Sequence, residues 1–152
     1  MSYTTAQARE RILRELGLAA SQIGLALDYL SEAYEQVDAN LADQLEETLF
    51  APVQAAYARA RRTATEFVSR HALAERDGSL PAAPSRPHGP AALIEAASHA
   101  VERADQWIGE LQDSMLPVEV GDEALRAGLS DTRSLLSALP TRARELVRIL
   151  GR

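Results

Sequence analysis

The residue types that could perform catalysis or hold a metal are scarce in this sequence. It contains no cysteine and three histidines, so thiol nucleophiles, thiolate metal ligands and disulfide bonds are excluded. Neither His71 nor His88 has a serine or aspartate at the spacing of a nucleophilic motif, and no glycine-rich phosphate loop is present. The sequence therefore predicts a protein that is not an enzyme and carries no cofactor.

The best local cluster of possible metal ligands is formed by Glu95, His99 and Glu102, which share one face of a predicted helix. Ile94 and Ala97 define the apolar stripe of that helix and place His99 on the opposite, outer face. Helical bundles that hold two iron ions use inward Glu-x-x-His motifs, and the sequence has none. We interpret the cluster as solvated and expect no metal.

A group of apolar residues falls in or beside a predicted loop, where side chains should face water. Large apolar side chains in such a place are unfavourable unless something covers them. Two interpretations stay open: the loop binds a partner, or it folds back over the end of the protein. The candidate partner-binding residues are the apolar Met115, Leu116, Val118 and Val120 and the acidic Asp113 and Glu119.

These side chains must be positioned by helices, because apolar residues recur every three to four positions in four segments. The periodic segments predict helices over about 4–37, 41–76, 90–115 and 122–150. Thr4 and Gln7 have the spacing of a capping box at the first helix start. The residues on these apolar stripes should pack against one another, which predicts an all-α, antiparallel four-helix bundle with coiled-coil-like heptad packing in a single domain, 1–152.

The sequence allows two positions for the turn after the first helix. The turn lies either near residue 39, with Asn40 capping the next helix, or at Pro52. Because residues 49–53 are wholly apolar and turns usually face water, we predict the turn near 39 and a kink at Pro52. A second kink is expected at Pro140.

The Pro-rich linker 78–90 separates two predicted helical hairpins. Four prolines exclude a helix there, and an extended segment of this length is either a simple connection or a crossover along the bundle. We favour the simple connection, which gives an up-down-up-down path.

Charge is unevenly distributed along the chain, which has a net charge of −6. Residues 28–47 and 105–123 contain acidic residues and no arginine, and every basic residue of the sequence is arginine. In the up-down-up-down path both acidic stretches lie at one end and arginines gather at the other. This separation of charge would make the bundle an electric dipole. Its acidic end would suit a cationic partner, a metal ion or the basic end of a second copy.

Several function classes fit the sequence poorly. The pI of about 5.1 disfavours binding to nucleic acid, and no basic amphipathic helix indicates a membrane surface. The N-terminus has no apolar run typical of a signal peptide. We expect a cytoplasmic protein.

Trp107-Ile108-Gly109 resembles the Trp-x-Gly motif of the small secreted helical-hairpin proteins of type VII secretion. In that family the motif lies in the turn between two helices, whereas here Ile108 belongs to an apolar stripe. The family's C-terminal Tyr-x-x-x-Asp/Glu signal is also absent. The resemblance implies a secretion-associated helical hairpin as one alternative function.

The leading functional prediction is a non-catalytic interaction or scaffold protein that associates with itself or with a protein partner. A bundle that binds a cation or small ligand at an acidic tip is the alternative from a different class. Light scattering tests whether the chain associates with itself. Thermal melts with divalent cations test whether it binds a cation.

Overall fold

The computed structural model describes residues 4–74 and 85–151, and the regular structure within these ranges is helical. Seven α-helices and one π-helical turn follow each other along the chain. Their bounds are α1 Thr5–Gln36, α2 Ala39–Leu45, the π turn Glu46–Phe50, α3 Ala51–His71, α4 Pro90–Asp113, α5 Leu116–Glu119, α6 Glu123–Leu136 and α7 Leu139–Leu150.

The start of α1 is fixed by its first residues, as predicted. The Thr4 hydroxyl accepts a hydrogen bond from the Gln7 backbone N–H at 3.2 Å, and the Gln7 side chain accepts one from the Thr4 N–H at 3.0 Å. This reciprocal pair is a capping box, which satisfies two donors that a helix start otherwise leaves free. The helix then continues to Gln36, one residue short of the predicted end.

The first turn lies at Val37 and Asp38, which confirms the prediction near residue 39. The cap is different, because Asp38 rather than Asn40 accepts the backbone N–H of Leu41, at 2.9 Å. Asp38 has the extended backbone that an N-cap requires, whereas Asn40 already lies inside the helix.

Pro52 does not interrupt the helical path from Ala39 to His71, so the rival turn at this proline is excluded. A π-helical turn precedes it, in which the Ala51 N–H bonds to the Glu46 carbonyl. Proline has no N–H for the carbonyl four residues earlier, that of Thr48. Arg142 from α7 donates to this carbonyl at 3.3 Å, so the π turn and an arginine together accommodate the proline.

Two predicted helices end or break earlier than expected. The segment predicted to reach residue 76 ends at His71, where Ala72 takes a left-handed conformation with φ of 51°; residues 75–76 lie outside the described ranges. The segment predicted over 122–150 is divided at Ser137 and Ala138, and Pro140 lies in the first turn of α7. The expected kink at Pro140 is thus a break.

The predicted apolar stripes form the core. Leu16, Ile23, Val101, Leu111 and Leu136 each expose 2% or less of their surface. Aliphatic side chains and alanines supply most of this interior, and Phe67 is the one aromatic residue among those described that is completely buried. Burial of these stripes is the main force that holds the helices together.

The helices pack against one another. α1 packs against α3 and α4, α3 against α6, and α4 against α6 and α7. Arg59 binds Asp131 and Arg70 binds Asp122, so α3 and α6 run in opposite directions. Arg103 in α4 donates a hydrogen bond to Gln22 in α1 at 2.9 Å.

The path between α3 and α4 corrects the up-down-up-down prediction. His71, at the end of α3, contacts Asp122 at the start of α6. Arg86, just before α4, binds Asp28 and Glu32 near the other end of α1. The chain therefore crosses from one end of the protein to the other between α3 and α4. The eighteen residues 72–89, at about 3.1 Å each when extended, are long enough to do so.

The crossover also removes the predicted dipole. It places the acidic stretch 28–47 at the end with Arg86, Arg144 and Arg148, and the stretch 105–123 at the end with Arg70. Each end therefore holds both acids and arginines. Within the described residues, no helix has the length and apolar character needed to span a membrane.

Candidate functional site

The connection between α4 and α6, residues 113–121, contains every residue of the predicted partner-binding loop; we call it the tip. α4 ends at Asp113, and the Ser114 hydroxyl donates to the Leu111 carbonyl at 2.6 Å and accepts the Leu116 N–H at 3.3 Å. Met115 follows with φ of 65°, a left-handed conformation that is unfavourable for any residue with a side chain. This conformation turns the chain into the short helix α5.

Burial divides the tip into a part that folds back over the end of the protein and a part that stays exposed. Leu116 is buried and Val120 packs against the core, which covers this end of the protein. Met115 and Val118 instead expose 52% and 46% of their surfaces. The tip thus covers this end of the protein with Leu116 and Val120 and leaves the side chains of Met115 and Val118 exposed to water.

Acidic side chains flank the exposed pair. Asp113 and Glu119 are both exposed, and among the described residues neither forms an ion pair within 4.0 Å. A surface made of two apolar side chains and two exposed carboxylates would suit a partner that is apolar at its centre and basic around it.

An ionic cluster is centred on Asp122, the residue that directly follows the tip. The Asp122 carboxylate accepts hydrogen bonds from the Leu125 N–H at 2.8 Å, from Arg70 at 2.9 Å and from His71 Nε2 at 2.8 Å. An ionised carboxylate only accepts hydrogen bonds, so Nε2 of His71 must carry its proton. The cluster joins the end of α3 to the start of α6.

The surroundings of Asp122 act on its pKa in opposite directions. Burial of the carboxyl group raises the pKa, whereas hydrogen bonds from the Leu125 N–H, His71 and Arg70 lower it, and the net effect is a lowered pKa. His71 is held in turn by the ring of Phe67, 4.6 Å away in an edge-on arrangement. The sequence indicated Asp122 as a helix start but gave no sign of its partners, which come from a helix fifty residues away.

The chain shows no significant match to a known protein family, a curated protein or a solved structure. Inferences about function therefore rest on the geometry of the described residues.

The possible metal ligands on α4 stay apart from the core. Glu95, His99 and Glu102 are all exposed, on the outer face that the sequence predicted. No group of three histidine, aspartate or glutamate side chains is placed to hold a metal ion anywhere in residues 4–74 and 85–151. The two acidic stretches lie at opposite ends of the protein, so they cannot combine into one acidic tip.

The Trp-x-Gly tripeptide lies within α4 rather than in a turn. Trp107 is half-buried against the core, and Gly109 faces the guanidinium group of Arg133, 3.3 Å from where a Cβ would be. Arg133 crosses this position to bind Asp105 at 2.9 Å and Gln112 at 2.9 Å. The glycine here makes room for an interhelical ion pair, and the turn position of the resembling family is not reproduced.

Proposed function

We propose that this chain forms a four-helix bundle with coiled-coil-like packing and acts as a non-catalytic interaction or scaffold protein. Its partner would be a second copy of the chain or another protein with an apolar, basic surface. The observation that carries the proposal is the exposure of Met115 and Val118 on a connection whose other apolar residues are buried. The apolar stripes of the helices are already used inside the chain, so they do not supply the interface.

The tip has the features expected of a small contact surface. Val118 lies on the short helix α5 and Met115 directly precedes it, and Leu116 ties this helix to the core. The exposed carboxylates of Asp113 and Glu119 beside them add a charge preference, which makes association sensitive to salt. We expect association to weaken as ionic strength rises.

The first prediction concerns the double variant Met115→Gly with Val118→Gln. Glycine suits the left-handed φ at position 115, so this variant removes the apolar contact without threatening the fold. Each side chain is about half exposed, and covering them both is worth roughly 2 kcal/mol, about thirtyfold in affinity. Sedimentation equilibrium at low and high salt, combined with capture of partners from cell lysate, measures the loss.

The matched control is Leu18→Gln with Leu135→Gln, which removes two exposed apolar side chains on α1 and α6. We expect this control to associate as the natural chain does. A natural chain that stays monomeric at millimolar concentration and captures nothing, or a tip variant that keeps full association, would refute the proposal.

A further inference from the structure

A groove of about 440 Å³ runs between α4 and α7, away from the tip. Its floor contains Ala143, which is buried, and Val147, which is half-buried. One wall belongs to α4 and carries exposed carboxylates, and the other belongs to α7 and carries exposed guanidinium groups. The charged residues are Glu95 and Glu102 on α4 and Arg144 and Arg148 on α7.

The opposite charges of the two walls do not meet. Within the described ranges, neither Arg144 nor Arg148 forms an ion pair within 4.0 Å, and the one hydrogen bond of Arg144 goes to Thr141 at 3.3 Å. This is unlike the contacts of α6 with α3 and α4, where Arg59 and Arg133 each pair with a carboxylate on the facing helix. The groove therefore keeps complementary charges apart across an apolar floor.

The two walls together select the charge of a ligand. The arginines are four residues apart on one face of α7 and offer the planar donors that bind carboxylates and phosphates in bidentate fashion. The carboxylates opposite repel a purely anionic ligand and attract a cationic group. A ligand of a single charge meets repulsion from one wall, whereas a ligand with both charges is attracted by both.

We propose that this groove binds a small organic zwitterion. Its anionic group would lie between Arg144 and Arg148, its cationic group against Glu95 and Glu102, and a short apolar body on Val147. The volume is in the range of small-molecule sites, about 300–1,000 Å³. The groove lies at the opposite end of the protein from the tip, so this inference stands or falls independently of the proposed function.

A set of three six-carbon probes tests the charge requirement on the full chain. 6-Aminohexanoate carries both charges, hexanoate only the negative one and hexylammonium only the positive one. Titrations followed by two-dimensional NMR should show saturable shifts at the His99 ring and at the Val147 backbone amide with 6-aminohexanoate. We expect each singly charged probe to bind at least about tenfold more weakly.

The double variant Arg144→Gln with Arg148→Gln should weaken 6-aminohexanoate binding about tenfold or more. The matched control Arg61→Gln with Arg62→Gln makes the same charge change on exposed residues of α3 and should bind as the natural chain does. Equal binding of hexanoate and 6-aminohexanoate would overturn the zwitterion assignment. Absence of shifts at about 50 mM probe, or an equal loss in both double variants, would overturn the site itself.

Discussion

Gly128→Ala is expected to destabilise the protein by about 1–3 kcal/mol, because the added methyl group overpacks the contact between α3 and α6. A Cβ at this position would lie 2.6 Å from Cγ2 and 2.9 Å from Cβ of Thr63, and closer still to its hydroxyl. Thr63 has little freedom to move, since it is buried and its hydroxyl donates to the Arg59 carbonyl at 2.7 Å. The midpoint of urea unfolding, monitored by far-UV circular dichroism, measures the effect.

Gly17→Ala is the matched control, since nothing lies within 4 Å of a Cβ at that helical position. Alanine is the better helix former by up to about 1 kcal/mol, so this control should unfold at higher urea. Thr63→Ala in the Gly128→Ala background removes the two nearest atoms and should recover part of the loss. If Gly128→Ala stabilised the protein as Gly17→Ala does, α3 and α6 would not approach as closely as described.

The helices and their buried faces could be predicted from the sequence because both depend on local rules. The period of apolar residues fixes which face each helix buries, and the capping box at Thr4 fixes where α1 begins. Pro52 showed the limit of such rules: the residue predicted a disturbance, but the π turn and the hydrogen bond from Arg142 depend on a helix ninety residues away.

The chain path between α3 and α4 could not be predicted, because a simple connection and a crossover bury the same apolar stripes. The crossover is seen only in contacts between distant residues, such as those of Arg86 with Asp28 and Glu32. The predicted charge dipole was wrong for the same reason, because reversing one helix pair moves the arginines of α7 to the end that holds Asp28. Local patterns thus determined the elements, and ion pairs between distant residues reveal their arrangement.

The sequence predicted a loop at the tip, but it could not separate the exposed residues of this loop from its buried ones. A stretch of one helical turn is too short for periodicity to indicate a face. The division depends on the left-handed backbone at Met115, which directs Leu116 inward and leaves Val118 outside. Left-handed conformations at residues other than glycine are uncommon, so the sequence carried little signal for this one.

Asp122→Ala is expected to cost about 2–4 kcal/mol, since one side chain serves as helix cap and as ionic partner. Loss of the N-cap bond to Leu125 accounts for about 1 kcal/mol. The rest comes from leaving Arg70 and His71 without the carboxylate, a cost of 3–5 kcal/mol for fully buried pairs. We reduce that figure because the Arg70 side chain is 35% exposed and partly screened by water.

Two further variants separate the roles of Asp122. Asp38→Ala removes an N-cap that forms no ion pair with any residue in the described ranges, and it should cost only about 1 kcal/mol. Asp122→Asn keeps an acceptor for the Leu125 N–H but not the charge, so we expect roughly half of the loss seen with alanine. If Asp122→Ala were no worse than Asp38→Ala, the ionic part of the cluster would contribute nothing to stability.

The pH dependence of the same variants tests the charge directly. The pKa of Asp122 in the folded protein lies below its ordinary value of 3.8, so the ionised carboxylate stabilises the fold at neutral pH. Its contribution is fully present above 3.8 and is lost as the pH falls through the lower, folded-state pKa. The difference in unfolding free energy between the natural chain and Asp122→Asn should therefore shrink as the pH falls below about 4. A difference that stayed the same down to pH 2 would mean that the hydrogen-bond geometry of the side chain, and not its charge, joins α3 to α6.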